Sequence, residues 1–246
     1  MTENRPLKLT EAQRQKLAQR LGQKPVGAAA HDAGDCPAAV AAALSGTKVR
    51  ARLEKVAHAL VGQRLLMPVY AHPEEHSEPK NLAESLIRQE VNGQSVLLAF
   101  TDVVSMQKFD PTARPVPVPV KQFATWALSD QQALMLNQDP ELILGMPALS
   151  ALVVGDNWLP AWANEPLNVA VQDLMSNYPA LVGFTFQPQG YGTRLELSVL
   201  MTAGPDQAGR EARAQVSSFV SQVAQIPELP GSCGPLSVAP QPVNLA

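Results

Sequence analysis

The densest group of side chains able to do chemistry is His72-Pro-Glu-Glu-His76. Imidazole and carboxylate together suit zinc or another first-row divalent metal. A metalloprotease-type site needs its two histidines one turn apart on a helix face. Pro73 and the polar stretch 71–79 instead place them in a loop, so a solvated loop is expected and no metal. His31 and His58 have no partner pattern. Cys36 stands beside a predicted helix start, where a thiol pKa can fall; its ordinary role is that of a small buried residue. Cys233 lies in Pro-Gly-Ser-Cys-Gly-Pro, a turn-like loop where it could be exposed. Thr101, Asp102 and Arg114 are the candidate ligand-binding residues. An arginine beside a proline-fixed backbone presents a rigid fork to a carboxylate. Asp110, four residues earlier, competes for it, and a structural Asp110–Arg114 pair is the favoured outcome. Trp126, Trp158 and Trp162 could line a pocket, although packing is their commoner use. No Gly-x-Ser-x-Gly elbow, phosphate loop or dinucleotide fingerprint occurs, and no spacing selects a catalytic triad. Catalytic residues, metal and cofactor are therefore assigned as none.

The elements that must position these residues centre on 95–128, SVLLAF-TDVVSMQKFDPTARPVPVPV-KQFATWAL. A strand runs into Phe100-Thr101-Asp102, a short helix carries Val103, Val104 and Met106 inward, and Asp110-Pro111 stops it. Pro115, Pro117 and Pro119 follow at period two. Each lacks an N–H, and in an extended chain all three gaps fall on one edge. The strand can therefore pair on the other edge only, through Val116, Val118 and Val120. A helix with Phe123 and Trp126 comes next, then an apolar strand at 133–136 and a helix at 147–153 ending at Gly155. Upstream, Thr10 and Gln13 have capping-box spacing for a first helix. Residues 35–44 suit a short helix, and Val49, Leu53, Val56 and Leu60 mark another, with Arg50, Arg52, Glu54 and Lys55 on its solvent face. Arg64 opens a buried strand whose Pro68 argues for an edge or a bulge. Asn92-Gly93 predicts a type I′ hairpin. After a connector with Trp158 and Trp162 the order is helix, strand, strand, helix, strand. Its strands, 181–186 and 193–201, flank a Gln-Pro-Gln-Gly-Tyr-Gly turn. The last strand is expected at 236–238, with a loose tail.

The expected fold class is thus α/β (α+β): a mixed β-sheet domain with N-terminal helices, plus a smaller α-β-β-α-β C-terminal unit. The predicted division is 1–60 as a helical lead-in, 61–160 as the α/β domain and 161–246 as the C-terminal domain. With 46% hydrophobic and 17% charged residues, the chain can build a globular core. A net charge of −3 gives no footprint for nucleic acid. No apolar run approaches the roughly 18 residues of a membrane span. The polar first residues lack a signal core, so the expected location is cytoplasmic. Two cysteines make no disulfide framework.

Phe100-Thr101-Asp102 and Asp110-Pro-Thr-Ala-Arg114-Pro-Val-Pro-Val-Pro119 resemble the SseB-type proteins of actinobacteria. These carry the SseB N-terminal domain, named for enhanced serine sensitivity. The family pattern is a strand ending in "FTS" or similar, a short helix, "ARPVPVP" and an alanine-rich helix. Arg64-Leu-Leu-Met-Pro-Val69 is similar to its "RLLVPV" strand, and Asp35-Cys-Pro-Ala-Ala-Val-Ala-Ala-Ala-Leu44 to its short alanine-rich helix. The resemblance covers about 35–160. Asp102 replaces a small polar residue and Phe109 a tryptophan, both tolerable in packing. The resemblance implies a mixed α/β fold, with no active site to carry over. Its implied function is poorly defined; together with the charge and hydropathy the leading reading is a non-catalytic cytosolic binding or regulatory protein, with an unknown protein partner or a small metabolite, no nucleic acid, no membrane, and room for a homodimer. Two alternatives stay open: an enzyme acting on a small anionic metabolite held near Arg114, and a structural adaptor in a protein assembly.

Overall fold

The structure, a computed structural model, describes residues 32–69, 86–200 and 207–243. The helix predicted near Thr10 and the His72–His76 group lie outside the described residues.

Helix α1 (Ala38–Leu44) and helix α2 (Val49–Ala59) lead in, as their apolar spacing predicts. Strand β1 (Arg64–Val69) follows, then the hairpin of β2 (Arg88–Val91) and β3 (Gln94–Ala99). Asn92 at φ 52° and Gly93 at φ 77° form its turn, the left-handed pair a type I′ hairpin requires. Next come α3 (Val103–Phe109), β4 (Arg114–Pro119), α4 (Val120–Ser129), β5 (Ala133–Leu136), β6 (Ile143–Leu144) and α5 (Met146–Val154). Gly155, left-handed at φ 81°, ends α5.

Strands β2-β3-β5-β6 form a mixed sheet in which β3 and β5 run parallel, and β1 pairs with β4 antiparallel. Leu66 joins the two, donating to the Phe100 carbonyl at 2.7 Å and accepting from its N–H at 3.0 Å. β1 is therefore flanked on both sides at Leu66, against the edge or bulge that Pro68 suggests. Pro68 falls two residues beyond that bridge, where the second ladder has stopped and no donor is needed. Among the described residues β4 pairs with β1 alone, with Val116 opposite Met67 and Val118 opposite Leu65. The N–H of Val120, now the first residue of α4, reaches the Gln63 carbonyl at 2.9 Å. Among the described residues the proline edge faces no strand.

Successive residues of buried strands point to opposite faces, and the core divides accordingly. Leu97, Ala99, Leu134, Leu136 and Leu144 face α1, α2, α4 and α5 in one cluster, together with Val118, Phe123 and Trp126. Val96, Leu98, Phe100, Met135 and Ile143 face Met106 of α3 in another. Val104, expected inward, is 63% exposed, because Val103, Met106 and Phe109 form the sheet side of that short helix.

The remaining elements are α6 (Glu165–Met175), β7 (Leu181–Gln189), β8 (Gly192–Leu200), α7 (Gln207–Val223), the short α8 (Leu229–Ser232) and β9 (Leu236–Val243). Asn164 caps α6, its side chain accepting from the Leu167 N–H at 3.1 Å. β7-β8-β9 form a second mixed sheet with its own cluster around Phe186, Leu195, Leu197, Phe219 and Val223. The six-residue turn expected here is shorter: β7 continues through Gln187, Pro188 and Gln189, and Pro188 is tolerated because β7 is a sheet edge. β9 is longer than expected, since Ser198–Leu200 offer a parallel partner as far as Val243. Cys233, expected from sequence in a turn-like loop, is buried, because α8 folds that loop onto the second cluster.

Candidate functional site

Two of the three predicted site residues meet at the carboxyl ends of the parallel strands. Thr101 and Asp102 follow β3, and Asn137 follows β5 in the left-handed region at φ 53°. Thr101 is fully buried. Its N–H donates to Asn137 Oδ1 at 2.9 Å, its hydroxyl donates to Asp102 Oδ2 at 2.8 Å, and Asn137 Nδ2 donates to that hydroxyl at 2.9 Å. Asp102 caps α3, accepting from the Ser105 N–H at 2.7 Å and hydroxyl at 3.0 Å. Burial pulls the Asp102 carboxyl upward, but the hydrogen bonds from Ser105 and Thr101 and the Lys108 charge hold it below its ordinary value.

Arg64 completes this group. Its guanidinium grips both Asp32 oxygens, at 2.5 and 2.9 Å, and donates to the Thr101 carbonyl and the Asp35 carbonyl at 2.6 Å each. The bond from Arg64 holds the Asp32 carboxyl below its ordinary value. Cys36 lies alongside; burial raises its thiol pKa, the Asp102 charge adds to the rise, and Thr101 and Arg64 oppose it. Every polar group here is engaged by another. The arrangement is a latch fastening residues 32–36 to the ends of β3 and β5, without an activated nucleophile or a free base.

Arg114 is elsewhere. It is exposed, at the opposite end of the β1–β4 ladder from Arg64, facing Val69. That ladder is roughly 16 Å long at about 3.3 Å per residue. Its side chain makes no ion pair or hydrogen bond among the described residues. Asp110 closes its own turn, accepting from the Thr112 N–H and hydroxyl at 2.8 and 2.7 Å.

A cleft of about 730 Å³ opens at the seam between the two sheets. Its walls are the first turns of α2, the β5–β6 turn at Glu141, Trp162 of the connector and the end of β7 at Gln187 and Pro188. The face of α2 read from sequence as solvated is turned here. Arg50 donates to the Phe186 carbonyl on the open edge of β7 at 3.2 Å. Arg52 pairs with Asp139 at 3.2 Å and Glu141 at 2.5 Å. Trp162 packs edge-to-face on Trp158 with centroids 5.5 Å apart, and touches both large core clusters. His58 Nε2 lies 2.7 Å from the Trp158 carbonyl and fixes the connector to α2. A signal for this site did exist in the sequence. Lys48, Arg50 and Arg52 crowd the start of a helix, the end whose dipole disfavours cations.

Among the described residues, no group of three His, Cys, Asp or Glu could hold a metal ion, and no helix is long and apolar enough to cross a membrane.

These features define an α+β protein in which a mixed-sheet domain and a second mixed sheet meet along a cleft. Residues 38–149, from α1 into α5, match the SseB protein N-terminal domain. No curated protein and no solved structure matches it. The second sheet lies beyond the matched residues.

Proposed function

We propose that the protein is a non-catalytic, cytoplasmic binding module of the SseB type, and that the seam cleft is where it binds. The observation that carries this is a contrast. The polar groups at the strand ends satisfy one another, which leaves no side chain there to act on a substrate. The cleft, by comparison, is open, lies between two sheets where ligand sites commonly occur, and is lined by charged side chains and an indole. A thermal-shift survey of metabolites of every charge type, run on the wild type and on Ala51→Trp, tests it. Ala51 lines the cleft, so a tryptophan there fills it. Stabilising compounds should lose their effect on the variant. Compounds that stabilise both proteins equally would place binding elsewhere and refute the assignment.

A further inference from the structure

Among the described outer strands, all but one are protected from pairing with another chain. β6 is only two residues long, and β2 carries the exposed charges of Arg88 and Glu90. β4 has its three prolines on its open edge. β9 repeats that device. The Thr193 N–H donates to the Pro235 carbonyl at 2.9 Å, so Pro235 and every second residue after it face β8. Pro240 and Pro242 therefore place their missing donors on the outer edge. Short strands, charges and prolines are the means by which natural sheets avoid edge-to-edge contact. β7 is the exception, since Leu181-Val-Gly-Phe-Thr-Phe186 holds neither a charge nor a proline. Its open backbone groups follow from its partner. Thr193 faces β9, so Arg194, Glu196 and Ser198 are the residues of β8 that face β7. Opposite them Gln187, Thr185 and Gly183 point inward, and the N–H and C=O groups of Phe184 and Phe186 point outward. Arg50 takes the Phe186 carbonyl from outside at 3.2 Å. Phe184 keeps both groups unpaired among the described residues, and Val182 on the same edge is 51% exposed.

We propose that two copies of the chain join along this edge, β7 pairing antiparallel with β7 of the second copy about a twofold axis near Phe184. A second copy is the occupant that fits. Self-pairing sets the same uncharged residues against one another, so no like charges are opposed. One symmetric contact closes both open edges. Each copy brings three strands, so the joined sheet of six ends on both sides at β9, where the prolines stop further growth. The assembly is thus a closed dimer and not a fibre. It is tested on the full chain by analytical ultracentrifugation over a dilution series and by amide hydrogen exchange, for wild type, Val182→Lys and Val169→Lys. Val182→Lys adds at an exposed position the charge that protected edges carry; Val169, 53% exposed on α6 and away from the edge, is the control. The wild type should be a dimer with slow exchange at the Phe184 amide. Val182→Lys should weaken dimerisation at least about tenfold and speed that exchange, with an unchanged circular dichroism spectrum. Val169→Lys should change neither. Should Val182→Lys lose its fold, the Phe184 amide of the wild type decides alone. A monomeric wild type, assembly beyond the dimer, fast exchange of the Phe184 amide within the dimer, or a folded Val182→Lys that dimerises like the wild type each overturns the proposal.

Discussion

Arg64 uses its guanidinium on three groups from two separate pieces of chain, and no other residue can reproduce that. Nε and Nη2 take the Asp32 carboxylate as a fork, while Nη1 and Nη2 reach the carbonyls of Thr101 and Asp35. Lysine offers a point charge on a flexible stem and cannot hold this geometry. Arg64→Lys should therefore cost about 2 kcal/mol, read by urea denaturation; unchanged stability would show that residues 32–36 are held by packing alone. The latch also sets an acid limit. Asp32 and Asp102 both have folded-state pKa values below their ordinary value of 3.8. The folded state then binds fewer protons than the unfolded chain in this range, so stability is complete above that value and falls as pH drops through the folded values. Denaturation curves should weaken below about pH 4, and Asp102→Asn should flatten that dependence. The thiols behave oppositely. Burial pushes Cys233 up to about 11 and raises Cys36, so both should resist alkylation at pH 8 until the protein unfolds. The Arg64 latch was not legible in the sequence, although a buried role for Cys36 was. Arg64 looked like the start of an apolar strand, and its partners lie 29 to 37 residues away along the chain. Thr101 and Asp102 were singled out, but as ligand contacts, and their engagement by Asn137 depends on β5 lying parallel to β3, which no local pattern reveals.

At the scale of elements the sequence was more informative, because the decisive signals were local. Period-two prolines dictate one-sided pairing, whatever the rest of the fold does, and β4 pairs with β1 alone among the described residues. Asn-Gly dictates a turn with two positive φ values, and Asn92 and Gly93 have them. What escaped was set by tertiary partners: the two-residue β6, the reach of β7 and β9, and the inner position of β1. The β4 arrangement makes a paired prediction. Val118 is 2% exposed and faces the cluster of Phe123 and Trp126. Val118→Asp should cost about 2–4 kcal/mol, since it buries a carboxylate without a partner. Pro117, half-buried on the same strand, has no N–H to lose, so Pro117→Ser should cost under about 1 kcal/mol. Comparable losses from the two substitutions in thermal unfolding would contradict the one-sided scheme.

At the scale of the whole molecule, the question is whether the two sheets act as one body. The turn between β7 and β8 carries Tyr191, which packs against the cluster of Val96, Leu98 and Ile143 in the other sheet. Its carbonyl approaches Gly145, the residue capping α5, so closely that a Cβ there would lie 2.1 Å from the oxygen. Gly145 has an ordinary φ of −80°, so alanine would suffer no backbone strain at this position. Any effect of Gly145→Ala must therefore come from the clash with Tyr191. That clash is with backbone, which cannot swing aside as a side chain can, and overpacking of this kind costs about 1–3 kcal/mol. The loss should appear at the seam. We expect Gly145→Ala to separate the unfolding of the two parts into distinguishable steps, and to open the 155–165 connector to limited proteolysis. Gly231, where an added Cβ meets nothing within 4 Å, supplies the control, and Gly231→Ala should leave both measurements unchanged. If Gly145→Ala unfolds in one step and resists the protease like the wild type, the turn does not fasten the sheets together. The cleft walls would then have to be held by Arg50, His58 and the tryptophan pair instead.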